Sequence, residues 1–172
     1  QMSLLELALE KLRDGKPART VEVTDDERKS FQMLQLLTAK PVLYACNVDE
    51  GSASDGNEFS AQVEAMAAEQ GAQAVVISAQ IEEEISQLAD EEERAEFLET
   101  MGLSETGLAR VIHAGYALLD LITFFTSGPK ETRAWTIKRG AKAPQAAGVI
   151  HTDFERGFIR AETISHDDFV AL

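Results

Sequence analysis

The sequence predicts a mixed fold, with a parallel α/β part followed by a smaller α+β part. Residues 42–46 and 74–77 are short apolar runs, each followed by polar residues, and a helical pattern lies between them. Strand, helix and strand in this order indicate a parallel pair, because parallel strands need a crossover connection. From residue 119 onwards, two β-branched and aromatic runs flank a turn sequence and predict a hairpin.

Two helical segments precede the first strand. Residues 4–12 carry leucines at helical spacing, and Gly-Lys-Pro at residues 15–17 stops the helix. This segment is similar to one arm of a helix pair whose partner is absent. Thr24 and Glu27 have the spacing of a capping box, so we expect a second helix to begin there and to end before Pro41.

Further helices surround the second strand. Asn57 can cap a crossover helix that ends at Gly71, and others are predicted after Ile81, from Asp90 and over residues 108–118. Their glutamates are expected to form a solvated face rather than a metal site, because consecutive carboxylates on a helix point in different directions. Helical spacing also predicts that several apolar residues face inward, including Phe31, Leu37 and Leu108.

The last part of the chain is predicted to be a small α+β domain of the ubiquitin-like kind. Its hairpin joins residues 121–126 and 132–137 through a Ser-Gly-Pro-Lys turn. A short helix over residues 145–150 and a strand over residues 157–164 follow, and residues 165–168 start a last helical turn.

Composition is typical of a packed protein of the cytoplasm. The chain has 172 residues, 44% hydrophobic and 27% charged, enough for one ordinary domain or two small ones. No run approaches the roughly 20 apolar residues that cross a membrane, so we predict a cytoplasmic protein without a membrane partner. The single cysteine, Cys46, excludes an internal disulfide and is expected to be a small core residue. The scattered histidines predict no zinc site, and no Ser, His and Asp pattern indicates a catalytic centre.

Charge is distributed unevenly along the chain. The net charge is −14, and residues 1–118 account for all of it, with 9 basic against 23 acidic residues. Residues 119–172 hold 7 of each sign. Because binding to a polyanion depends on local Lys and Arg side chains, only the second part is a candidate contact surface for RNA.

The polar residues after the first strand are candidates for recognising a purine base. In open α/β sheets, ligands bind beyond the carboxyl ends of the strands. Asn47 lies at that position, and a carboxamide can donate to purine N7 and accept from the adenine amine. Glu50 brings a carboxylate to the same edge. The alternative is an ordinary loop with an Asn-stabilised turn.

The spacing Asn-x-x-Glu corresponds to the Asn-Lys-x-Asp pattern of GTPases, whose aspartate accepts hydrogen bonds from guanine N1 and N2. Adenine lacks those donors, and a carboxylate at this position would face the lone pair of adenine N1. The longer side chain of Glu50 is expected to move its negative charge away from N1 and thereby to loosen guanine selectivity. Ser78 and Ala79, which follow the second strand, resemble the other base-side loop of GTPases, where backbone amides close over the purine.

Longer runs of the sequence resemble the YchF family of Obg-like ATPases. These runs are KPVLYACNVDE, SAQIE, GLARVIHAGYALLDLITFFTSGPKETRAWTI and APQAAGVIHTDFERGFIRAETIS. The resemblance covers nearly the whole chain and implies a P-loop nucleotide hydrolase of the TRAFAC GTPase class, with an inserted helical arm and a C-terminal TGS domain. It further implies binding of ATP in preference to GTP and association with the ribosome.

The resemblance divides the chain into three parts. Residues 1–38 would be the helical coiled-coil arm and its connection, and residues 39–118 the end of the nucleotide-binding domain with its parallel sheet. Residues 119–172 would be a TGS domain with the β-grasp fold. We expect the fold to be incomplete at both ends, as in a C-terminal portion of a longer protein.

The resemblance also implies which residues hold the base. Asn47 would hold the purine edge, Val48 would present its backbone to the adenine, and Glu50 would complete the specificity motif. The other side of the base would be lined by Ser78, Ala79 and Gln80.

Motifs that hold phosphates do not occur in the sequence. It has neither Gly-x-x-x-x-Gly-Lys-Ser/Thr nor the Asp-x-x-Gly of a metal-side switch loop. We therefore expect that this chain alone does not hydrolyse ATP or GTP, and that Mg²⁺ binds only in the intact parent protein.

A second hypothesis is that the chain is an RNA- or ribosome-binding module with no nucleotide role. A basic set surrounds Trp135, consisting of Lys130, Arg133, Lys138, Arg139 and Lys142. Basic side chains beside an exposed aromatic ring can hold an RNA backbone and stack a base. Alternatively, strand alternation places Trp135 in the core and Arg133 outside. An unpaired arm and an incomplete sheet would also expose apolar surface, so we expect self-association.

Overall fold

The structure is a computed structural model that describes residues 2–171. Residues 1 and 172, which fall in the predicted arm and TGS domain, lie outside the described part. The chain divides into two units between Leu118 and Leu119. Each unit combines helices with a two-stranded sheet, which confirms a mixed helix-and-sheet fold. The P-loop sheet and the β-grasp fold stay predictions.

The first unit is built around a parallel strand pair. Its helices are Met2–Arg13 (α1), Asp25–Gln32 (α2), Glu58–Glu69 (α3), Ala79–Gln87 (α4), Glu91–Thr100 (α5) and Gly107–Leu118 (α6). Its strands are Leu43–Asn47 (β1) and Gln73–Ile77 (β2). They pair in parallel with Asn47 opposite Ile77, so their carboxyl ends lie at the same edge. The strand–helix–strand prediction is confirmed, with α3 as the crossover.

Side-chain caps determine where α3 and α5 begin. Asn57 Oδ1 accepts hydrogen bonds from the N–H groups of Phe59 and Ser60, each at 3.0 Å. Asp90 Oδ1 accepts from the Glu92 N–H at 2.9 Å. A capping oxygen satisfies amide donors that have no partner inside the helix. Both predicted helix starts are confirmed.

Two apolar clusters form the core of the first unit. One of them consists of Leu4, Ala8, Ala18, Val21 and Phe31. The other consists of Ala53, Ile81, Ile85 and Leu103. In the second cluster, Ala53 and Ile81 are each 1% exposed. It therefore joins the loop after β1 to α4, which begins directly after β2.

Several apolar side chains that were predicted to face inward are exposed instead. Leu37 and Leu108 are 77% and 61% exposed, so this part of the prediction is wrong. Helical spacing identifies an apolar face, whereas burial requires a neighbour that covers it. In addition, α2 ends at Gln32 rather than near Pro41, because Gln35 has a left-handed φ of 50° that a helix cannot contain.

The second unit is built on an antiparallel hairpin. Its strands are Leu121–Ser127 (β3) and Thr132–Lys138 (β4), and its helices are Ala143–Ile150 (α7), Thr152–Arg156 (α8) and His166–Val170 (α9). The hairpin prediction is confirmed, with Phe124 opposite Trp135, but the strand predicted over residues 157–164 is wrong. A strand needs a hydrogen-bonded neighbour, and within the described part of this unit only β3 and β4 are paired. Ile159, in the middle of that segment, is 91% exposed.

Candidate functional site

Two hydrogen bonds join the loops that follow β1 and β2. Asn47 Oδ1 accepts from the Ala79 N–H at 2.9 Å. The Val48 N–H donates to the Ile77 carbonyl oxygen, also at 2.9 Å. The structure thus brings Asn47 and Val48 of the first predicted group next to Ala79 of the second group. They meet at the edge of the sheet where both strands end.

The Asn47 carboxamide retains hydrogen-bonding capacity. The residue is exposed, and its oxygen is engaged with Ala79. Its amide nitrogen makes no hydrogen bond to any residue between 2 and 171. Because this NH₂ group has two donors and purine N7 is an acceptor, Asn47 can hold Ala79 and a purine edge at the same time.

The other predicted base-site residues differ in exposure. Glu50 is half-buried and begins a single 3-10 turn, whereas Ala79 and Gln80 are exposed at the start of α4. Ser78 is only 2% exposed, and its hydroxyl has no hydrogen-bond partner among the described residues. Ala79 and Gln80, rather than Ser78, therefore present this loop to solvent.

One cavity adjoins the loop after β1. It has a volume of about 320 Å³ and lies between β1 and α3. Asn47 and Val48 line it on the β1 side, and Asn57 and Phe59 line it on the other side. The three residues that follow β2 do not contribute to its lining. The Asn47–Ala79 hydrogen bond, and not this cavity, therefore connects Asn47 to the residues that follow β2.

Contacts from α6 hold both loops, and the residues that make them were not predicted. The Glu82 carboxylate on α4 accepts from the N–H groups of Gly107, at 2.6 Å, and Leu108, at 3.2 Å. Arg110 Nη1 donates to the Ala53 carbonyl oxygen at 3.3 Å. No local sequence signal reveals these contacts, because Glu82 belongs to a run of three glutamates and its partners lie 25 and 26 positions away.

Arg133 and Trp135 form a stacked pair in the second unit. The Arg133 guanidinium carbon lies 4.4 Å from the centroid of the Trp135 ring. The ring is half-buried, and its N–H donates to Thr126 Oγ1 at 2.9 Å. Residues two positions apart share a face of a strand, so the explanation that alternation separates these two side chains is wrong.

The other residues of the predicted basic set are all exposed, but two of them make local contacts. Lys138 Nζ donates to the Leu119 carbonyl oxygen at 2.7 Å. Arg139 pairs with Asp120 at 3.2 Å. Lys130 and Lys142 are exposed on either side of β4 in sequence. Lys138 and Arg139, at the end of β4, are therefore bonded to the two residues that precede β3.

The described residues form neither a metal-ligand cluster nor a membrane-spanning helix. Between residues 2 and 171, no group of three His, Cys, Asp or Glu side chains could hold a metal ion. In the same part of the chain, no helix has the length and apolar character needed to cross a membrane. Cys46 is a free, half-buried thiol.

Comparison with known proteins identifies the family. The family model YchF-GTPase_C, described as "Protein of unknown function (DUF933)", matches residues 121–172. A Bacillus subtilis (strain 168) protein named "Ribosome-binding ATPase YchF" is 47% identical over 173 residues, which cover 99% of this chain and 47% of the relative. A protein of the same name from Escherichia coli O157:H7 is 48% identical over 170 residues, covering 99% and 46%. The chain belongs to the YchF family.

A solved structure of the YchF family has a similar fold. It is titled "Structure of the Schizosaccharomyces pombe YchF GTPase" and has a TM-score of 0.78 at 35% identity, over 91% of this chain and 42% of that chain. The family resemblance of the sequence is thereby confirmed. The chain spans about half the length of the curated YchF relatives that it matches.

Close packing at Gly107 gives a testable property of this YchF-family chain. A Cβ there would lie 3.1 Å from Glu82 Oε1 and 3.2 Å from the Ile77 side chain. We predict that Gly107→Ala lowers the free energy of unfolding by about 1–3 kcal/mol, because an added methyl group overfills this contact. Urea denaturation measures the change.

The matched control for this substitution lies on the same helix. Nothing lies within 4 Å of a Cβ built at Gly115, so Gly115→Ala should raise the free energy of unfolding by about 0.5–1 kcal/mol through helix propensity alone. Equal effects of the two substitutions would contradict the packing argument.

Proposed function

We propose that this chain carries the base-recognition side of a purine-nucleotide site in a ribosome-associated ATPase that prefers ATP to GTP. The observation that carries the proposal is the Asn47–Ala79 hydrogen bond, which joins the two strand-end loops at one edge of the sheet. The names of the relatives, which are ribosome-binding ATPases, support the nucleotide class and the ribosome as a partner.

In this proposal, each residue of the two loops has a distinct role. The Asn47 NH₂ group donates to purine N7 while its oxygen holds Ala79. Val48 presents its backbone to the adenine, and Glu50 replaces the guanine-reading aspartate of GTPases with a longer side chain. Ala79 and Gln80 line the opposite side of the base, and Ser78, which precedes them, is buried beneath the surface of the protein.

The phosphates and Mg²⁺ must be held by another part of the protein. The 172 residues contain no P-loop motif, and the described residues offer no cluster of metal ligands. In P-loop proteins, the loop amides and the lysine supply most of the charge complementarity to the phosphates. We therefore propose that the chain alone binds ATP weakly, does not hydrolyse it, and meets Mg²⁺ only in the intact parent protein.

The same proposal assigns the parts of the chain. Residues 1–38 belong to a helical arm and its connection, residues 39–118 to the nucleotide-binding domain, and residues 119–172 to a TGS domain. Association with ribosomes places the protein in the cytoplasm.

Asn47→Ala should abolish purine-nucleotide binding, because it removes both the donor to N7 and the acceptor that holds Ala79. Calorimetric titration of the chain with ATP, ADP and GTP measures the loss, and the starting chain should bind ATP more tightly than GTP. Asn47→Asp keeps an acceptor for Ala79 but has no NH₂ group, and it should also lose binding.

Gln73→Ala is the control, since it removes an exposed carboxamide at the opposite end of the strand pair. Its nucleotide affinity should equal that of the starting chain. Unchanged ATP binding in Asn47→Ala would refute base recognition by this loop.

A second candidate function is contact with ribosomal RNA through the second unit. The observation that favours it is the Arg133–Trp135 stack, which places a cation on an aromatic ring on the same strand as Lys138. Guanidinium groups and aromatic rings bind phosphates and stack on unpaired bases. In this function, the chain is a binding module without a nucleotide role.

Replacing Lys130 and Lys142 together by alanine should weaken co-sedimentation with ribosomes and reduce its salt dependence, because fewer counterions are released on binding. Both side chains are exposed. A double substitution of Arg156 and Arg160 removes the same charge elsewhere in this unit and should have little effect. Equal weakening by the two double variants would contradict a specific surface.

Self-association through α1 is a further part of the proposal. Met2, Leu5, Leu9 and Leu12 recur at spacings of three and four residues and are 71%, 43%, 46% and 40% exposed. Such a stripe on one side of a helix can pair with the same stripe of a second copy, as apolar surface is removed from water.

Leu5→Lys combined with Leu9→Lys should convert an associated chain into a monomer of 18.8 kDa in light scattering, because it places two charges within the stripe. Leu7→Lys is the matched control, since Leu7 is 45% exposed but lies off the stripe. Elution of the starting chain as a monomer would refute this proposal.

A further inference from the structure

Glu82 connects the loop after β2 to the beginning of α6. It lies one turn into α4, the helix that begins with Ala79, and its two carboxylate oxygens accept from the N–H groups of Gly107 and Leu108. The first amides of a helix have no partner within that helix, so this carboxylate caps α6 from a neighbouring element. The start of α4 is thereby held at a fixed distance from α6.

Arg110 connects the loop after β1 to the same part of α6. Its Nη1 donates to the carbonyl oxygen of Ala53, which follows the turn that Glu50 begins. Ala53 is 1% exposed and packs in the same apolar cluster as Ile81 of α4. The Nε of Arg110 is buried and has no hydrogen-bond partner among the described residues, so Nη1 is the atom that anchors this side chain to the loop.

Three contacts join the loop after β1, the helix α4 and the helix α6 to one another in pairs. Asn47 links the first loop to Ala79, Glu82 links the helix that begins with Ala79 to α6, and Arg110 links the first loop to α6. Loops are ordinarily more mobile than the elements they connect. A ligand that binds between two mobile loops must first order them, whereas preorganised loops bind without that cost.

We propose that Glu82 and Arg110 are positioning residues, which hold the two base-recognition loops at the separation that a purine ring requires. This inference rests on the proposed function, because it explains how a site made of two strand-end loops stays formed without ligand. Neither side chain contacts the base. Arg110 acts from α6 on the Ala53 backbone, and Glu82 acts by joining α4, the helix that begins with Ala79, to α6.

Hydrogen exchange of the Ala79 amide in the nucleotide-free chain tests the positioning directly. Ala79 donates to Asn47, so its exchange rate reports how often the two loops separate. Glu82→Ala should accelerate exchange at Ala79 about tenfold, corresponding to about 1.4 kcal/mol, while Val75, whose N–H points toward β1 in the parallel ladder, stays protected. Glu82→Asp keeps the charge but is one methylene shorter, so it should show the same local effect even if the alanine variant folds poorly.

Two control variants separate positioning from general stability. Glu83→Ala removes an exposed glutamate from the same helix and should leave Ala79 unchanged. Arg94→Met removes an arginine that donates to the Leu88 carbonyl oxygen at 2.9 and 2.7 Å, a contact of the same kind at the other end of α4. Unchanged exchange at Ala79 in Glu82→Ala, or equal acceleration in Arg94→Met, would overturn the inference.

Titration with ATP distinguishes this inference from the proposed function. Glu82→Ala and Arg110→Met should each weaken ATP binding about tenfold, and Glu82→Gln, which keeps one acceptor, should restore part of it. Arg94→Met should bind ATP like the starting chain. Absence of ATP binding to the starting chain would overturn the proposed function, whereas normal ATP binding with unaltered affinity in both positioning variants would overturn the inference alone.

Discussion

The parallel register of β1 and β2 is the constraint on which the candidate site depends. Because Asn47 lies opposite Ile77, the residues that follow both strands emerge at one edge of the sheet. Side chains alternate along a strand, so a shift by one residue would turn Asn47 to the other face and leave the Ala79 amide without its acceptor. The backbone ladder thus sets the spacing of the two loops, and the contacts from α6 maintain it.

In the proposed function, recognition of the base and recognition of the phosphates are separated by charge. Residues 1–118 carry the whole net charge of −14, and the loops contain Asp49 and Glu50 but no Lys or Arg. At physiological ionic strength, charges are screened over about 8 Å, so distant carboxylates repel a nucleotide only weakly. A triphosphate nevertheless needs cations in direct contact. The two strand-end loops are therefore suited to the neutral base and not to the phosphates.

Features set by neighbouring residues could be predicted from the sequence, and features set by distant partners could not. Asn57 marks the start of α3 because a cap and its amides lie within three residues. The Glu82–Gly107 contact joins positions 25 apart, so no local pattern contains both. The exposure of Leu108 and the unpaired segment 157–164 have the same origin, since burial and strand pairing depend on which elements lie alongside rather than on composition.

Trp135 is the only tryptophan of the chain. Its indole N–H donates to Thr126, and the Arg133 guanidinium lies over its ring, so a positive charge is in direct contact with the indole. Tryptophan emission responds to nearby charge. An anion that draws the guanidinium away from the ring would change the emission of the unlabelled protein, which therefore contains a built-in optical probe at the hairpin.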